Sequence, residues 1–250
     1  MKNNNCILCQ KNNKTVIAKQ TFEDEYLTLI DPKLNEVARA WVECADCNLI
    51  YHDPQLEEFE TKDLYLKFRD SSFRGEVADD YFDRIVSLPE SESENHIKVE
   101  WINNNISGHI EKNGSVMDIG SGGGVFLYTF LKKNKSWTPY GVEPTSEFAN
   151  LIKRKLECSV YTGNYHKDIF DTKFDLITCN HVLEYVIDPV EFLSDIFIDL
   201  SHGGYLYMEV PDARDFKDLP QSMTDFWLSI SGIFQKVSLK KYLETQVLKL

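Results

Sequence analysis

The chain reads as an α/β protein, a doubly wound and mostly parallel sheet preceded by a small β-rich module and a helical connector. Three observations predict this. From residue 114 onward, short apolar runs alternate with stretches of helical spacing. One such run, Val116-Met117-Asp118-Ile119, passes straight into Gly120-Ser121-Gly122-Gly123-Gly124 and then into a helical stretch opening with Val125-Phe126-Leu127. Near the N-terminus two close cysteine pairs, Cys6-x-x-Cys9 and Cys44-x-x-Cys47, bracket a segment of their own.

Residues 1–55 form the first expected unit. Two tight cysteine pairs each suit two corners of a tetrahedral thiolate site for Zn²⁺. With four thiolates the site is coordinatively closed, so the metal is expected to be structural and to contribute on the order of 10 kcal/mol to folding. Residues 10–43 exceed the usual spacing between knuckles, and a β-rich insert is expected there, with strands at Thr15–Ala18 and Tyr26–Ile30. Disulfides are the alternative, disfavoured by the lack of a secretory leader. His52 reads as a turn residue beside the second knuckle, and Cys158 and Cys179 as apolar thiols buried in strands.

Residues 56–113 form the connector, charged and aromatic, with Tyr65, Phe68, Phe73, Tyr81 and Phe82 at irregular spacing. A polar break at Ser87–Glu94 reads as a turn between helices, and a helix begins near His96. Tyr65 and Tyr81 could line a pocket, though aromatics of this kind more often pack in a core.

In residues 114–250 the strands are expected at Val116–Ile119, Pro139–Glu143, Ser159–Thr162 and from Phe174, with a last strand entered through Gly203-Gly204. A helix is expected over Thr145–Leu156. Another starts after Asp188-Pro189, a cap followed by proline at the first helical position, with Phe192, Leu193, Ile196, Phe197 and Leu200 as its apolar stripe.

Composition excludes several functions. A net charge of −13 over 250 residues argues against a nucleic-acid partner, which requires clustered Lys and Arg. No apolar run spans a membrane and no leader core follows Met1, so a cytoplasmic protein is expected.

The glycine loop narrows the chemistry. Glycine permits sharp turning and close approach to a ligand, and the following helix aims N–H groups at whatever binds. Glu143 follows Gly120 at close to the roughly 20-residue interval at which an acid meets ribose hydroxyls. Val125 occupies the place where a dinucleotide loop wants Gly or Ala, and no phosphate P-loop is present. The remaining pattern, Asp118-x-Gly120-x-Gly122-x-Gly124, resembles motif I of class I S-adenosylmethionine-dependent methyltransferases, which are Rossmann-like. The resemblance implies S-adenosylmethionine as cofactor, with Asp118, Gly120, Ser121, Gly122 and Gly124 around its methionine part and Glu143 with Pro144 at its ribose. It also implies Asn164, Asn180 and His181 as cofactor contacts.

The cysteine pairs followed by Leu49-x-Tyr51-x-x-Pro54 resemble a family of bacterial methyltransferases, some of which methylate carbons of nucleotide-linked deoxysugars. That resemblance implies a small-molecule acceptor such as a nucleotide-linked sugar or polysaccharide precursor. Two departures stand out. The family places a Glu-His pair after the fifth strand, whereas Thr224–Phe234 contains no histidine. Val237–Val247 resembles the helix before a closing hairpin for which too little chain remains. His181, which shares a face with Glu184 if that segment is helical, is the candidate base. The second reading is a zinc-containing interaction protein that binds the cofactor without turnover, and a dinucleotide oxidoreductase is a distant third. The sequence is silent on oligomeric state.

Overall fold

A computed structural model describes residues 5–20, 23–69, 75–106 and 113–210, with side chains not described for Phe68 and Arg69. Phe73, the segment Thr224–Phe234 and the expected helix Val237–Val247 lie outside the described residues. The described chain divides into two compact units, one from residues up to 70 with 182–194, the other from residues 71–181 with 195–209.

The first unit holds a three-stranded antiparallel sheet of β1 (Lys14–Lys19), β2 (Ala40–Cys44) and β3 (Ile50–Asp53), in that order. Between β1 and β2 runs helix α1 (Glu25–Ile30), and after β3 comes α2 (Glu58–Arg69). The expected strand at Tyr26–Ile30 is therefore a helix. Five residues of mixed apolar and polar type fit either period, and the cap decides: the Asp24 carboxylate accepts from Tyr26 N at 2.9 Å and Leu27 N at 3.3 Å. Tyr26 and Leu27 then pack on Leu56 and Leu64.

His52 is also corrected, from a turn to the middle of β3 opposite Trp41. The turn closes earlier, where Asn48 N donates to Cys44 O and Asn48 takes a φ of +61°. His52 is buried against the Trp41 ring and beside the buried guanidinium of Arg39, 2.5 Å from its Nδ1. Burial holds the imidazole well below its ordinary pKa, so it stays neutral and its Nδ1 accepts from Arg39.

The second unit carries a five-stranded parallel sheet. Its strands are β4 (Ser115–Ile119), β5 (Thr138–Glu143), β6 (Ser159–Thr162), β7 (Phe174–Asn180) and β8 (Leu200–Glu209), in the order β6-β5-β4-β7-β8. Its helices are α3 (Ala78–Val86), α4 (Glu94–Ile106), α5 (Val125–Lys133) and α6 (Ser146–Leu156). Helix α7 (Pro189–Asp199) runs between β7 and β8, capped by the Asp188 carboxylate, which accepts from Val190 N and Glu191 N. This is the parallel, doubly wound type of sheet that the sequence predicts.

Val99, Ile102 and Ile106 of α4 and Phe126, Leu127 and Phe130 of α5 close one apolar cluster with Val116, Leu176 and Trp137. Ala78 and Phe82 of α3 meet Phe148 and Leu151 of α6 in another.

Three smaller expectations are corrected. Gly203-Gly204 is not a turn before the last strand but lies within β8, where the pairing slips between Phe174 and Leu176. Gly203 takes a φ of +81°, and a Cβ on Gly204 would stand 2.7 Å from Phe174 O, so glycine is what lets the bulge form. Leu200 begins that strand and is not part of α7. Cys158 precedes β6 and is only half-buried, its thiol pushed up to about 11 by burial, whereas Cys179 is buried on β7 as expected.

Phe130 is fully buried, stacked on Phe126 and edge-on to Trp137. Phe130→Ala is expected to lower unfolding free energy by about 3–5 kcal/mol, read from urea midpoints. A loss below about 1 kcal/mol would contradict this packing.

Candidate functional site

The glycine loop leaves the C-terminal end of the central strand β4. Gly120, Gly122 and Gly124 all have positive φ, at +69°, +52° and +78°, so the spacing of the three glycines is a backbone requirement. The loop is tied to β5 twice. Gly120 N and Ser121 N both donate to Val142 O, at 2.8 and 3.1 Å. Gly122 N donates to Glu143 Oε2 at 2.8 Å.

The other oxygen of Glu143 accepts from Thr145 N and from the Thr145 hydroxyl, at 2.8 and 2.7 Å. Glu143 is fully buried. Three donors already reach its carboxylate, so a ligand hydroxyl binding there would exchange with the Gly122 N–H or take remaining acceptor capacity.

On the other side of β4 the register sets Asp118 opposite Thr178. The Thr178 hydroxyl donates to Asp118 Oδ1 at 2.6 Å, and Asn180 Nδ2 lies at a long 3.5 Å from the same oxygen. Ser121 Oγ turns back to Asp118 O at 2.6 Å. Burial pushes the Asp118 carboxyl up to about 7, opposed by the hydrogen bonds from Thr178 and Asn180 and reinforced by the nearby Glu143 charge.

Two features mark room for a ligand. Asn180 Oδ1 is buried with no hydrogen-bond partner among the described residues. A Cβ built on Gly122 would meet nothing within 4 Å. Tyr81 packs its ring on the loop, 3.1 Å from where a Gly123 Cβ would be, and contacts Phe148.

The structure thus brings Asp118, Gly120, Ser121, Gly122, Glu143 and Asn180 into one bonded group. Gly124 ends the loop, its N donating to Ser121 O. Pro144 follows Glu143 directly. Asn164 is exposed just past β6, next to Gly163, whose N donates to Glu143 O at 3.1 Å. His181 follows β7 with a φ of +52°, and the helical turn begins only at Leu183, so the shared helical face with Glu184 is not formed. His181 instead pairs with Glu209 at 3.2 Å. Sequence reasoning did not single out Thr178, Glu209 or Lys98. Their roles come from parallel register and from helix–sheet contact, which no local spacing encodes.

In the first unit, Cys6, Cys9, Cys44 and Cys47 bring their Sγ atoms within 4.8 Å of one another. Cys6 and Cys47 stand 3.5 Å apart, as do Cys9 and Cys44. A regular tetrahedron at the usual Zn–S length has edges of about 3.8 Å, so four soft sulfur donors in this arrangement fit Zn²⁺. The hydrogen bond from Cys47 draws the Cys6 thiol down to about 5, while burial raises Cys9 to about 11.

A methyltransferase-domain family model matches residues 96–245, more than half of the chain, and the chain belongs to that family. It is 32% identical over 120 residues to the tRNA U34 carboxymethyltransferase of Nautilia profundicola, covering 44% of this chain and 38% of that protein. It is 26% identical over 171 residues to the ubiquinone biosynthesis O-methyltransferase of Colwellia psychrerythraea, covering 62% of this chain and 65% of that one. The chain therefore matches less than two thirds of these curated relatives' length. The plantazolicin methyltransferase BpumL in complex with SAH superposes with a TM-score of 0.52 at 16% identity, covering 70% of both chains, and shares the fold.

The raised Asp118 carboxyl has a consequence for stability. Its folded pKa, about 7, lies above the ordinary 3.8, so the native state holds the extra proton and this contribution is lost as pH rises from about 4 to 7. Subtracting the Asp118→Asn unfolding free energy from that of the wild type should give a difference that falls across this window and levels above it. Parallel curves would contradict the assigned environment.

Proposed function

We propose that the chain is an S-adenosylmethionine-dependent methyltransferase acting on a small acceptor such as a nucleotide-linked sugar or polysaccharide precursor. The observation that carries this reading is the bonded group at the ends of β4, β5 and β7, with an Asn180 oxygen that has no hydrogen-bond partner among the described residues and open space over Gly122. Family membership supports the reaction class. When bound, the cofactor supplies an electrophilic methyl on a positively charged sulfur.

The residues supply the rest. Gly120, Gly122 and Gly124 offer backbone where a side chain would obstruct, Ser121 turns its hydroxyl back to Asp118 O, and Glu143 with Pro144 borders the ribose side. Asp118 and Asn180 present oxygen atoms beside the loop, and Asn164 stands near at the end of β6. In acceptor chemistry the relatives are diverse: by their names one acts on a tRNA and others in ubiquinone biosynthesis. A net charge of −13 disfavours a nucleic acid here, and the resemblance of the cysteine module to that of sugar methyltransferases favours a sugar. The four-thiol group is assigned structural Zn²⁺, closed to substrate.

Calorimetry of the zinc-loaded chain with S-adenosylmethionine and S-adenosylhomocysteine tests the cofactor assignment. Both should bind, and Gly122→Arg should abolish binding because it fills the open space from a left-handed backbone position, while zinc content stays unchanged. Unchanged affinity in the variant would refute the site. Transfer of labelled methyl into keto- and amino-sugar nucleotides, a catechol and tRNA then identifies the acceptor class. Binding without transfer to any of them would instead favour an interaction protein.

The metal has its own test. The purified chain should carry about one zinc by elemental analysis, and Cys44→Ser should lose it together with the cooperative unfolding of the first unit. A zinc-free but equally stable wild type would contradict the metal site.

A further inference from the structure

We propose that Glu209, held by Lys98 and Tyr207, is a positioning residue that fixes His181 as the general base of methyl transfer, a reading that rests on the methyltransferase assignment above. Glu209 ends β8 and is paired in register with Asn180, the last residue of β7. Two hydrogen bonds join it to the next residue, His181: His181 N donates to Glu209 O at 3.0 Å, and Nε2 meets Glu209 Oε1 at 3.2 Å. Backbone and ring are thus fixed by the same partner. The left-handed φ of +52° at His181 is the kind of strained conformation that persists only where its surroundings over-determine it.

The second oxygen of Glu209 is also engaged. Lys98 Nζ from α4 stands 3.0 Å from Oε2, and the Tyr207 hydroxyl on the same strand donates to it at 3.1 Å. Lys98 in turn has Glu94 one helical turn before it, at 4.0 Å. These groups and His181 face the carboxylate from three elements. The hydrogen bond from His181, then Lys98, hold Glu209 down at about 2.

An ionised carboxylate only accepts, so at neutral pH Nε2 must carry the hydrogen. The neutral tautomer then has its lone pair on Nδ1. A base oriented by a third group is the arrangement that activates nucleophiles on many unrelated folds. The His181 side chain is 45% exposed, so an acceptor can reach it.

In the step this defines, the acceptor X–H gives its proton to His181 Nδ1 while its electron pair forms the bond to the methyl carbon. The carbon–sulfur bond breaks with its pair passing to sulfur, which becomes a neutral thioether. Glu209 stabilises the resulting imidazolium, which returns its proton to water.

The test follows the His181 ring by NMR in the full zinc-loaded chain, with the resonance assigned from His181→Asn. Glu209→Gln should move the His181 titration to lower pH, because the imidazolium loses its counter-charge. Lys98→Met should move it to higher pH, because a competing cation is removed. Each variant should bind S-adenosylhomocysteine within about threefold of wild type by calorimetry, a spread of about 0.7 kcal/mol. With the acceptor that turns over, Glu209→Gln should lower kcat more than about tenfold, a part of what general-base catalysis supplies, and shift the rising limb of its pH profile to lower pH. A His181 titration unmoved in both variants, or an unchanged kcat, overturns the proposal. Failure of the wild type to bind S-adenosylhomocysteine would sink the methyltransferase reading instead, and the NMR result would still decide whether the pair is coupled.

Discussion

The N–H of Gly122 reaches the buried carboxylate of Glu143, and this bond joins the loop after β4 to the end of β5. It can form only because β4 and β5 run parallel in a register that pairs Asp118 with Gly141 and Ile119 with Val142, so that both strands end level. The space beside β5 is tight as well: a Cβ on Gly141 would stand 3.1 Å from Ser121 Oγ. Sheet register, loop conformation and the position of the acid are therefore one constraint. A change to any of them displaces the backbone N–H groups of the loop.

Two carboxylates near the C-terminal ends of β4 and β8, strands separated by β7, are driven in opposite directions. Asp118 is enclosed, with hydroxyl and amide donors only, and its carboxyl is raised to about 7. Glu209 faces an imidazole and an ammonium and is held at about 2. Such separation within one site is how a fold assigns different protonation tasks to chemically similar groups. Glu209 stays an anion throughout the physiological range and serves as a fixed acceptor for its three donors.

Much of this was legible in the sequence because it depends on local features. The three glycines at alternate positions announced positive φ, the interval to Glu143 announced an acid at the end of the next strand, and the cysteine pairs announced the thiol cluster. What could not be read depends on pairing across the chain. Thr178 is unremarkable until the β4–β7 register sets it against Asp118, and Glu209 is unremarkable until β8 ends beside His181. The helix at residues 25–30 was hidden because five residues cannot distinguish two periods, and only the Asp24 cap separates them. His52 became a strand residue because the knuckle turn closes at Asn48, and the neutral buried imidazole then accepts from Arg39.

The most direct measurement of the central claim is an amide NMR titration of the ¹⁵N-labelled chain with S-adenosylhomocysteine. If the loop bound to Glu143 is the cradle, the amides of Gly120, Ser121, Gly122, Thr145 and Asn180 should shift most, with Gly122 foremost because its hydrogen bond to Glu143 is the one a ribose hydroxyl would replace. Saturating ligand that leaves these amides in place, or that shifts only residues of β1 to β3, would contradict the account.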